Sequence, residues 1–256
     1  MGISLRGRTA FVTGASGGIG RATAEALAGE GVRLLMCARD AAKLPTEEEC
    51  KHWGAEASFG FALDVSRKED IDRAFSSLSA EWKNVDILVN NAGKARGLAK
   101  LWEDDPVHWD EMIDTNVKGM LWMTRAFMPG MVERGRGHIV NIGSTAGYWP
   151  YANGAVYCGT KAAEKAITEA LKLDATGTPV RITSVDPGMV HTAFSEVRFG
   201  GDKERAAKVY EGLTPLSAED IADAILYAVT RPAHVNIHNI LLTSVDQGNS
   251  TTFHRR

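Results

Sequence analysis

The amino-acid sequence predicts an α/β domain built on a parallel sheet with helices on both faces. Short apolar runs alternate with helical patterns along the chain, which is typical of repeated strand–helix–strand units. Runs such as Ile87-Leu88-Val89 are apolar at every position, as expected for a strand buried on both faces. A chain of 256 residues is long enough to fill both layers of such a core. No linker-like or repeated segment interrupts the pattern, so we expect a single domain over residues 1–248.

The predicted elements follow one another at short intervals. The strand-like runs are Thr9–Thr13, Val32–Cys37, Ala57–Phe61, Ile87–Asn90, His138–Ile142, Arg181–Val185 and Ile237–Thr243, which gives a sheet of about seven strands. The helical patterns include Arg67–Trp82, Trp109–Met128, Val156–Leu173 and Ala218–Val229. Residues 249–256 have no apolar periodicity, and we expect this C-terminal tail to be partly disordered.

Composition argues against several classes of partner. The formal net charge is −3 and no basic stripe is visible, which disfavours nucleic acid and anionic membranes. No apolar run approaches the ~20 residues of a membrane helix, and the N-terminus lacks the apolar segment of a signal peptide. Cys37, Cys50 and Cys158 form no metal-like cluster and fit a reducing compartment. We expect a cytoplasmic protein without a metal that acts on a small molecule.

A glycine-rich turn follows the first strand. The sequence G-A-S-G-G-I-G (14–20) leads directly into a helix-like stretch at 21–28. In a strand–turn–helix unit, backbone N–H groups and the helix N-terminus face a pyrophosphate. Gly14 suits the turn, Gly18 the close approach of phosphates, and Gly20 the packing of helix on strand. The alternative is a turn that binds no ligand.

Tyr157, Lys161 and Ser144 have a spacing that suggests acid–base chemistry. Tyr157 and Lys161 are four residues apart, so on a shared helix both side chains lie on one face. A lysine ammonium beside a phenol favours the phenolate, which can exchange a proton with a substrate. Ser144 can then hydrogen-bond the same substrate oxygen. Taken alone, the pair also fits a surface tyrosine and a solvated lysine.

Together these motifs resemble the short-chain dehydrogenase/reductase family, from about Arg8 to about Asp246. The matching motifs are T-G-A-S-G-G-I-G (13–20), L-D-V (63–65), N-N-A-G (90–93), D-T-N-V-K-G (114–119), I-G-S-T-A-G (142–147), Y-C-G-T-K (157–161) and D-P-G-M-V-H-T (186–192). The stretches around 141–154, 194–202 and 231–237 are similar to the subgroup of NADP-dependent serine 3-dehydrogenases and 3-hydroxy acid dehydrogenases. The resemblance implies a Rossmann-like doubly wound fold and a homotetramer, with the helix at Val156–Leu173 in one interface and the C-terminal strand near another.

The end of the second strand favours NADP over NAD. An acidic residue there binds ribose hydroxyls and repels a 2′-phosphate, but this chain has Ala38 followed by Arg39. A guanidinium suits a phosphate. Gly17 stands where many NADP-preferring members carry a second basic residue, and Asp40 is placed to compete for Arg39. The resemblance implies that the cofactor is bound by Gly14, Ser16, Gly18, Ile19, Gly20, Arg39, Asp64, Val65, Asn90, Gly93, Tyr157, Lys161, Pro187, Gly188, Val190 and Thr192.

The resemblance also implies a catalytic set of Asn116, Ser144, Tyr157 and Lys161, with Asn116 anchoring a water that leads to the lysine. We therefore expect hydride transfer between nicotinamide and a small 3-hydroxy acid or 3-oxo acid, with Ser144 and Tyr157 binding the substrate oxygen and Arg198 as a candidate ligand of the carboxylate. Other roles for these residues remain open: Asp64 as a helix cap, and Arg198 as a solvated loop arginine.

Two other functions are compatible with this sequence. One is an NADPH-dependent carbonyl reductase for neutral or bulkier ketones. The other is a non-catalytic dinucleotide-sensing protein on the same fold. Lys94 and Arg96 are candidates for positive potential at the mouth of the site, and Y-W-P-Y (148–151) either for a pocket wall or for a subunit contact.

Overall fold

Residues 2–256 are described by a computed structural model. Seven parallel strands form one sheet in the order β3-β2-β1-β4-β5-β6-β7, which confirms the predicted fold class. The strands are β1 (Thr9–Thr13), β2 (Arg33–Ala38), β3 (Ala57–Ala62), β4 (Ile87–Asn90), β5 (Gly137–Ile142), β6 (Val180–Pro187) and β7 (Asn239–Leu242). The α-helices are α1 (Gly18–Gly29), α2 (Glu47–Trp53), α3 (Lys68–Ser77), α4 (Ala80–Lys83), α5 (Pro106–Met112), α6 (Met120–Glu133), α7 (Ala155–Asp174), α8 (Phe194–Arg198), α9 (Lys203–Lys208) and α10 (Ala218–Val229).

The core has one apolar layer on each face of the sheet. Alternate side chains of a strand point to opposite faces. Ala10 and Val12 of β1 therefore pack in the layer that contains α1 and α10, while Phe11 packs in the layer that contains α3 and α6. Phe11 meets Phe127 of α6 edge to face, with ring centroids 5.3 Å apart. All five residues of β1 are buried, which explains why the three residues between Thr9 and Thr13 are all apolar.

Two predicted helices differ from the observed ones. The predicted helix Arg67–Trp82 is α3 and α4, because Leu78 and Ser79 have extended backbone between them. The predicted helix Trp109–Met128 begins earlier, at Pro106, where Asp105 caps the chain by accepting a hydrogen bond from the Val107 N–H at 2.9 Å. A π-helical segment at Ile113–Gly119 then joins α5 to α6.

The C-terminal tail runs back along the chain. The His254 N–H donates to the Asp246 carbonyl at 2.8 Å, and the Arg256 guanidinium pairs with the Asp246 carboxylate at 2.9 Å. The Arg256 N–H also donates to the Gly212 carbonyl at 2.9 Å. These contacts involve backbone and charge rather than a buried apolar face, so the tail is held without the periodicity that would have predicted structure there.

The strand order reverses beside β1, which lies between β2 and β4. In a parallel sheet the loops that leave two such neighbours turn to opposite faces and open a crevice at the carboxyl edge.

In residues 2–256 none of the helices is both long and apolar enough to span a membrane.

Candidate active site

A cavity of about 370 Å³ opens at the carboxyl edge of the sheet. The loops that follow six of the strands contribute to its wall. The predicted site residues that line it are Gly14, Ser16, Gly18, Ile19, Arg39, Asp64, Val65, Gly93, Ser144, Tyr157, Lys161, Pro187, Gly188, Val190 and Thr192. Gly20, Asn90, Asn116 and Arg198 do not line it.

The glycine turn forms part of the cavity wall. Gly14 and Gly18 have φ of +68° and +51°, a left-handed conformation that favours glycine. Helix α1 begins at Gly18 without a side-chain cap and without an acidic residue in its first turn. Its first N–H groups therefore have no partner inside the helix. A Cβ at Gly17 would meet nothing within 4 Å, so the turn leaves open space for an anion at the helix N-terminus.

Gly20 and Asn90 do not line the cavity but pack behind its wall. A Cβ at Gly20 would lie 2.3 Å from the Gly14 carbonyl oxygen, so this glycine permits close packing of α1 on the turn. The buried Asn90 amide donates to Asn141 Oδ1 at 2.9 Å. It is the next residue, Asn91, that lines the cavity, and its amide donates to the Thr13 carbonyl at 2.8 Å.

An exposed arginine, Arg39, also lines the cavity, next to the glycine turn, because the Ala15 N–H donates to the Cys37 carbonyl at the end of β2. Asp40, a possible competitor for Arg39, caps the following turn through the Ala42 N–H and pairs with Lys43 at 3.5 Å. Arg39 has no ion-pair partner among the residues that the structure describes. Its guanidinium is therefore available to a ligand phosphate.

Asp64 lies near Arg39 and also acts as a local cap. Its Oδ1 accepts hydrogen bonds from the Ser66 N–H at 3.0 Å and the Ser66 hydroxyl at 2.6 Å. Burial acts to raise the pKa of Asp64, but the Ser66 hydrogen bonds and the charges of Lys94 and Arg39 outweigh burial and hold it below its usual value. Asp64 is thus an ionised acceptor at the cavity wall.

Tyr157 and Lys161 lie on α7 and both line the cavity. Lys161 Nζ is 5.9 Å from the centroid of the Tyr157 ring. The ammonium donates to the Ile142 carbonyl at 2.9 Å and to Glu164 Oε2 at 2.9 Å. Burial acts to lower the pKa of Lys161, but the negative charge of Glu164 outweighs burial, so the pKa lies above its usual value. The lysine is therefore a buried cation.

Ser144 follows β5 and caps a short turn, where its hydroxyl accepts a hydrogen bond from the Ala146 N–H at 3.1 Å. The hydroxyl proton remains for a group in the cavity. A serine hydroxyl, a phenol and a buried ammonium thus share one cavity, and this combination can hold an oxygen atom and exchange a proton with it.

Asn116 is buried in the π-helical segment, directly behind Gly93 of the cavity wall, where a Cβ on Gly93 would lie 3.5 Å from Asn116 Oδ1. Its Oδ1 accepts from the Lys94 N–H at 2.8 Å, and its amide donates to the Lys94 carbonyl at 2.9 Å and to Thr160 Oγ1 at 3.0 Å. The side chain therefore ties α7 to the loop after β4. Short π-helical segments are frequent at functional sites.

Arg198 reaches Tyr157 from a smaller neighbouring cavity, which both residues line. Its Nη2 donates to the Tyr151 hydroxyl at 2.6 Å, and its guanidinium carbon lies 4.8 Å from the centroid of the Tyr157 ring. Its Nε is buried without a hydrogen-bond partner. Arg198 has no carboxylate partner within residues 2–256, so it can bind an anion beside Tyr157.

Lys94 and Arg96 contribute less positive potential than the sequence suggested. Both pair with Glu111, at 3.4 Å and 2.8 Å. Hydrogen bonding to Arg96 is the main reason that the pKa of Glu111 lies below its usual value. This carboxylate is therefore ionised and offsets the positive charge of Lys94 and Arg96.

The two tyrosines of the aromatic segment at 148–151 lie in different surroundings. Tyr151 packs beside Arg198 near the smaller cavity. The Tyr148 hydroxyl instead donates to Asp186 Oδ2 at 2.8 Å. The sequence placed Asp186 at the start of the D-P-G-M-V-H-T motif without indicating a role for it, and it did not single out Glu164. The position of Glu164, three residues after Lys161 on a helix, was the available signal.

The residues that the structure describes include no group of three or more His, Cys, Asp or Glu side chains arranged to hold a metal ion.

Comparison with known proteins finds relatives that are all described as dehydrogenases. A family model described as short chain dehydrogenase matches residues 8–201. An NADP-dependent 3-hydroxy acid dehydrogenase from Salmonella typhi is 45% identical over 238 residues, which cover 93% of this chain and 95% of that protein. A serine 3-dehydrogenase from Rhizobium radiobacter is 37% identical over 239 residues, with 93% and 94% covered. The closed form of a serine dehydrogenase complexed with NADP+ superposes with a TM-score of 0.89 at 41% identity, covering 97% of this chain and 99% of that chain.

We expect Gly20→Ala to lower the free energy of unfolding by about 1–3 kcal/mol, because its Cβ would force the Gly14 carbonyl to move. Gly17→Ala is the matched control in the same turn, since Gly17 has extended backbone and open space around it. That variant should stay within about 0.5 kcal/mol of the wild type. Urea unfolding at one protein concentration compares them, and equal stability of the two variants would contradict the packing role of Gly20.

Proposed function

The chain belongs to the short chain dehydrogenase family, and on that premise we propose that it is an NADP-dependent oxidoreductase of small 3-hydroxy acids. Serine-like and 3-hydroxypropionate-like compounds are the substrates that we favour. The observation that carries the proposal is the meeting of Ser144, Tyr157 and Lys161 in one cavity, with Arg198 beside Tyr157. Relatives named for NADP and for 3-hydroxy acids or serine support the same choice.

The residues that line the cavity fit NADP. The N–H groups at Gly17 and Gly18 suit the pyrophosphate, since the helix N-terminus there has no cap. Arg39, free of Asp40, suits the 2′-phosphate. Val190 and Thr192 line the part of the cavity proposed for the nicotinamide. When bound, the nicotinamide exchanges a hydride with the substrate carbon.

The chain's own residues handle the substrate oxygen and its proton. Ser144 donates a hydrogen bond to that oxygen, and Tyr157 takes the hydroxyl proton in oxidation or returns it in reduction. The Lys161 ammonium favours the phenolate form of Tyr157. Asn116 holds Lys94 and Thr160 in place through its hydrogen bonds. In this proposal it also anchors the water that leads to Lys161.

Arg198 is the proposed carboxylate ligand. Its buried, unpartnered Nε and its lack of an ion pair support this role. A carboxylate bound to the guanidinium would bring the neighbouring hydroxyl carbon close to Tyr157, which the arginine already contacts. Neutral alcohols lack this contact and should be poorer substrates.

We also propose a cytoplasmic homotetramer. Cys37, Cys50 and Cys158 are free thiols, which supports a reducing compartment. Edge strand β7 exposes Leu241, and Leu173 is exposed at the end of α7. These two side chains lie on the two surfaces at which we propose the subunit contacts.

We expect Tyr157→Phe to lower kcat about 10²–10⁴-fold, because the phenol can no longer exchange a proton. Binding of NADPH, followed by its fluorescence, should persist because the glycine turn and Arg39 are unchanged. Tyr227→Phe, at a half-exposed position on α10, is the control and should keep full turnover. Normal turnover by Tyr157→Phe would show that another residue carries the proton.

We expect Arg198→Ala to lower kcat/KM for 3-hydroxy acids about ten- to a hundredfold, the value of a charged hydrogen bond. Turnover of a neutral secondary alcohol should change much less. Arg205→Ala is the control, because Arg205 lies on nearby α9 and stacks on Phe199 instead. If Arg198→Ala kept the preference for acids over neutral alcohols, the carboxylate role would be wrong.

A further inference from the structure

A buried carboxylate lies against the active-site lysine. Glu164 is only 4% exposed, and its Oε2 accepts the hydrogen bond from Lys161 Nζ at 2.9 Å. The two residues are three positions apart on α7 and so share one face of the helix. Asp186 of β6 is 1% exposed, and its charge acts on both members of the pair. Two carboxyl groups and the ammonium of a cavity-lining lysine are thus clustered together.

Stability alone does not account for an acid at this position. Removing two charges from water costs free energy that their attraction seldom repays in full. Apolar residues of similar volume often replace a buried ion pair without loss of stability. The same helix packs apolar side chains such as Leu171 against the sheet elsewhere. A buried acid next to a reacting group is therefore a candidate for a role in the chemistry.

Glu164 restricts the direction of the lysine. An ammonium has three N–H donors. Lys161 directs one to the Ile142 carbonyl and one to Glu164. The third is left for a group in the cavity that Lys161 lines. Without Glu164, the ammonium would be fixed by the single bond to Ile142.

The proton on Glu164 decides the net charge of the pair. Ionised Glu164 offsets the lysine, whereas protonated Glu164 leaves the ammonium to act alone on the Tyr157 ring, 5.9 Å away. Burial, opposed by Lys161 and assisted by Asp186, raises the pKa of Glu164 to about 7. Asp186 is held by the hydroxyls of Tyr148 and Ser184, and burial raises its pKa as well. Glu164 therefore changes charge near neutral pH.

We propose that Glu164 is a positioning residue for the reaction, which aims Lys161 and sets by its own proton how strongly the lysine favours the Tyr157 phenolate. This inference rests on the proposed function, in which Tyr157 exchanges the substrate proton. Ionised Glu164 weakens the effect of the ammonium, and the Tyr157–Lys161 pair then gives up a proton less readily.

The test is the pH dependence of kcat/KM for alcohol oxidation by the wild type and by Glu164→Gln. The amide keeps the volume and can accept the Lys161 hydrogen bond, but it carries no charge. Loss of a proton from the Tyr157–Lys161 pair becomes easier, whichever residue releases it. We expect the limb on which activity rises with pH to move about one unit lower.

The matched control is Glu169→Gln. Glu169 lies on the same helix and pairs with Lys165 at the surface, at 2.8 Å. This variant removes the same charge without touching Lys161, and we expect its pH profile to match the wild type. Glu164→Met removes the buried charge with an apolar side chain of similar volume, and it takes the place of Glu164→Gln if the amide prevents folding.

An ultraviolet titration of the tyrosinate band gives a readout that needs no turnover. The contribution of Tyr157 is obtained by subtracting the titration of the Tyr157→Phe protein from that of the protein that keeps Tyr157. In the Glu164→Gln background, this difference signal should appear at lower pH than in the wild type. Coincident profiles and titrations for the wild type and Glu164→Gln would overturn the inference and leave Glu164 with a structural role. If the wild type oxidised no 3-hydroxy acid, the proposed function would fail, while this titration would still decide the role of Glu164.

Discussion

The order of the strands determines where the proposed functional groups meet. Because β1 lies between β2 and β4, the loops after β1 and β4 diverge and open a crevice at the carboxyl edge. Gly14 follows β1, Arg39 follows β2, Gly93 follows β4, Ser144 follows β5 and Gly188 follows β6. All of them line one cavity although they are spread over most of the chain. A change in strand order would separate them whatever their individual chemistry.

Helix α7 supplies the second constraint, because it carries the proposed proton-transfer residues on one rigid face. Lys161 is fixed to the end of β5 through the Ile142 carbonyl, and Thr160 is tied through Asn116 to the loop after β4. The lysine is thus held from the sheet and its helix is held from the neighbouring loop. Sites built on packed helices and strands keep their geometry more closely than sites on loops. Arg198 comes from a short separate helix, which suits a residue that selects substrates.

Much of the fold could be predicted because the spacing of apolar residues, and the residues that end a helix or strand, are local properties of the sequence. Thr9–Thr13 and Ala218–Val229 were predicted at their observed bounds, since the apolar run of the first and the helical periodicity of the second end there. The break at Leu78 was not predictable, because an apolar residue in extended backbone leaves no mark on helical spacing. The π-helical turn at Ile113–Gly119 depends on tertiary contacts of Asn116, which the local sequence does not contain.

The site was predictable where a motif fixes backbone geometry and less so where side chains compete. Gly14 and Gly18 have the positive φ that their motif implies. Asn90 and Asn91 are adjacent, and only the sheet decides that Asn91 faces the cavity while Asn90 faces the core. Glu164 could not be singled out from the sequence because a glutamate on a helix is usually solvated, whereas in the fold it is buried and paired with Lys161.

The most direct test is to mix the purified protein with NADP+ or NAD+ and a panel of alcohols, and to follow the reduced nicotinamide by absorbance. The panel contains both enantiomers of serine, 3-hydroxypropionate, 3-hydroxybutyrate and neutral secondary alcohols. The account predicts turnover of 3-hydroxy acids with NADP+ and little with NAD+, because Arg39 and Arg198 select a phosphate and a carboxylate. Turnover of neutral alcohols alone, or equal use of the two cofactors, would contradict it.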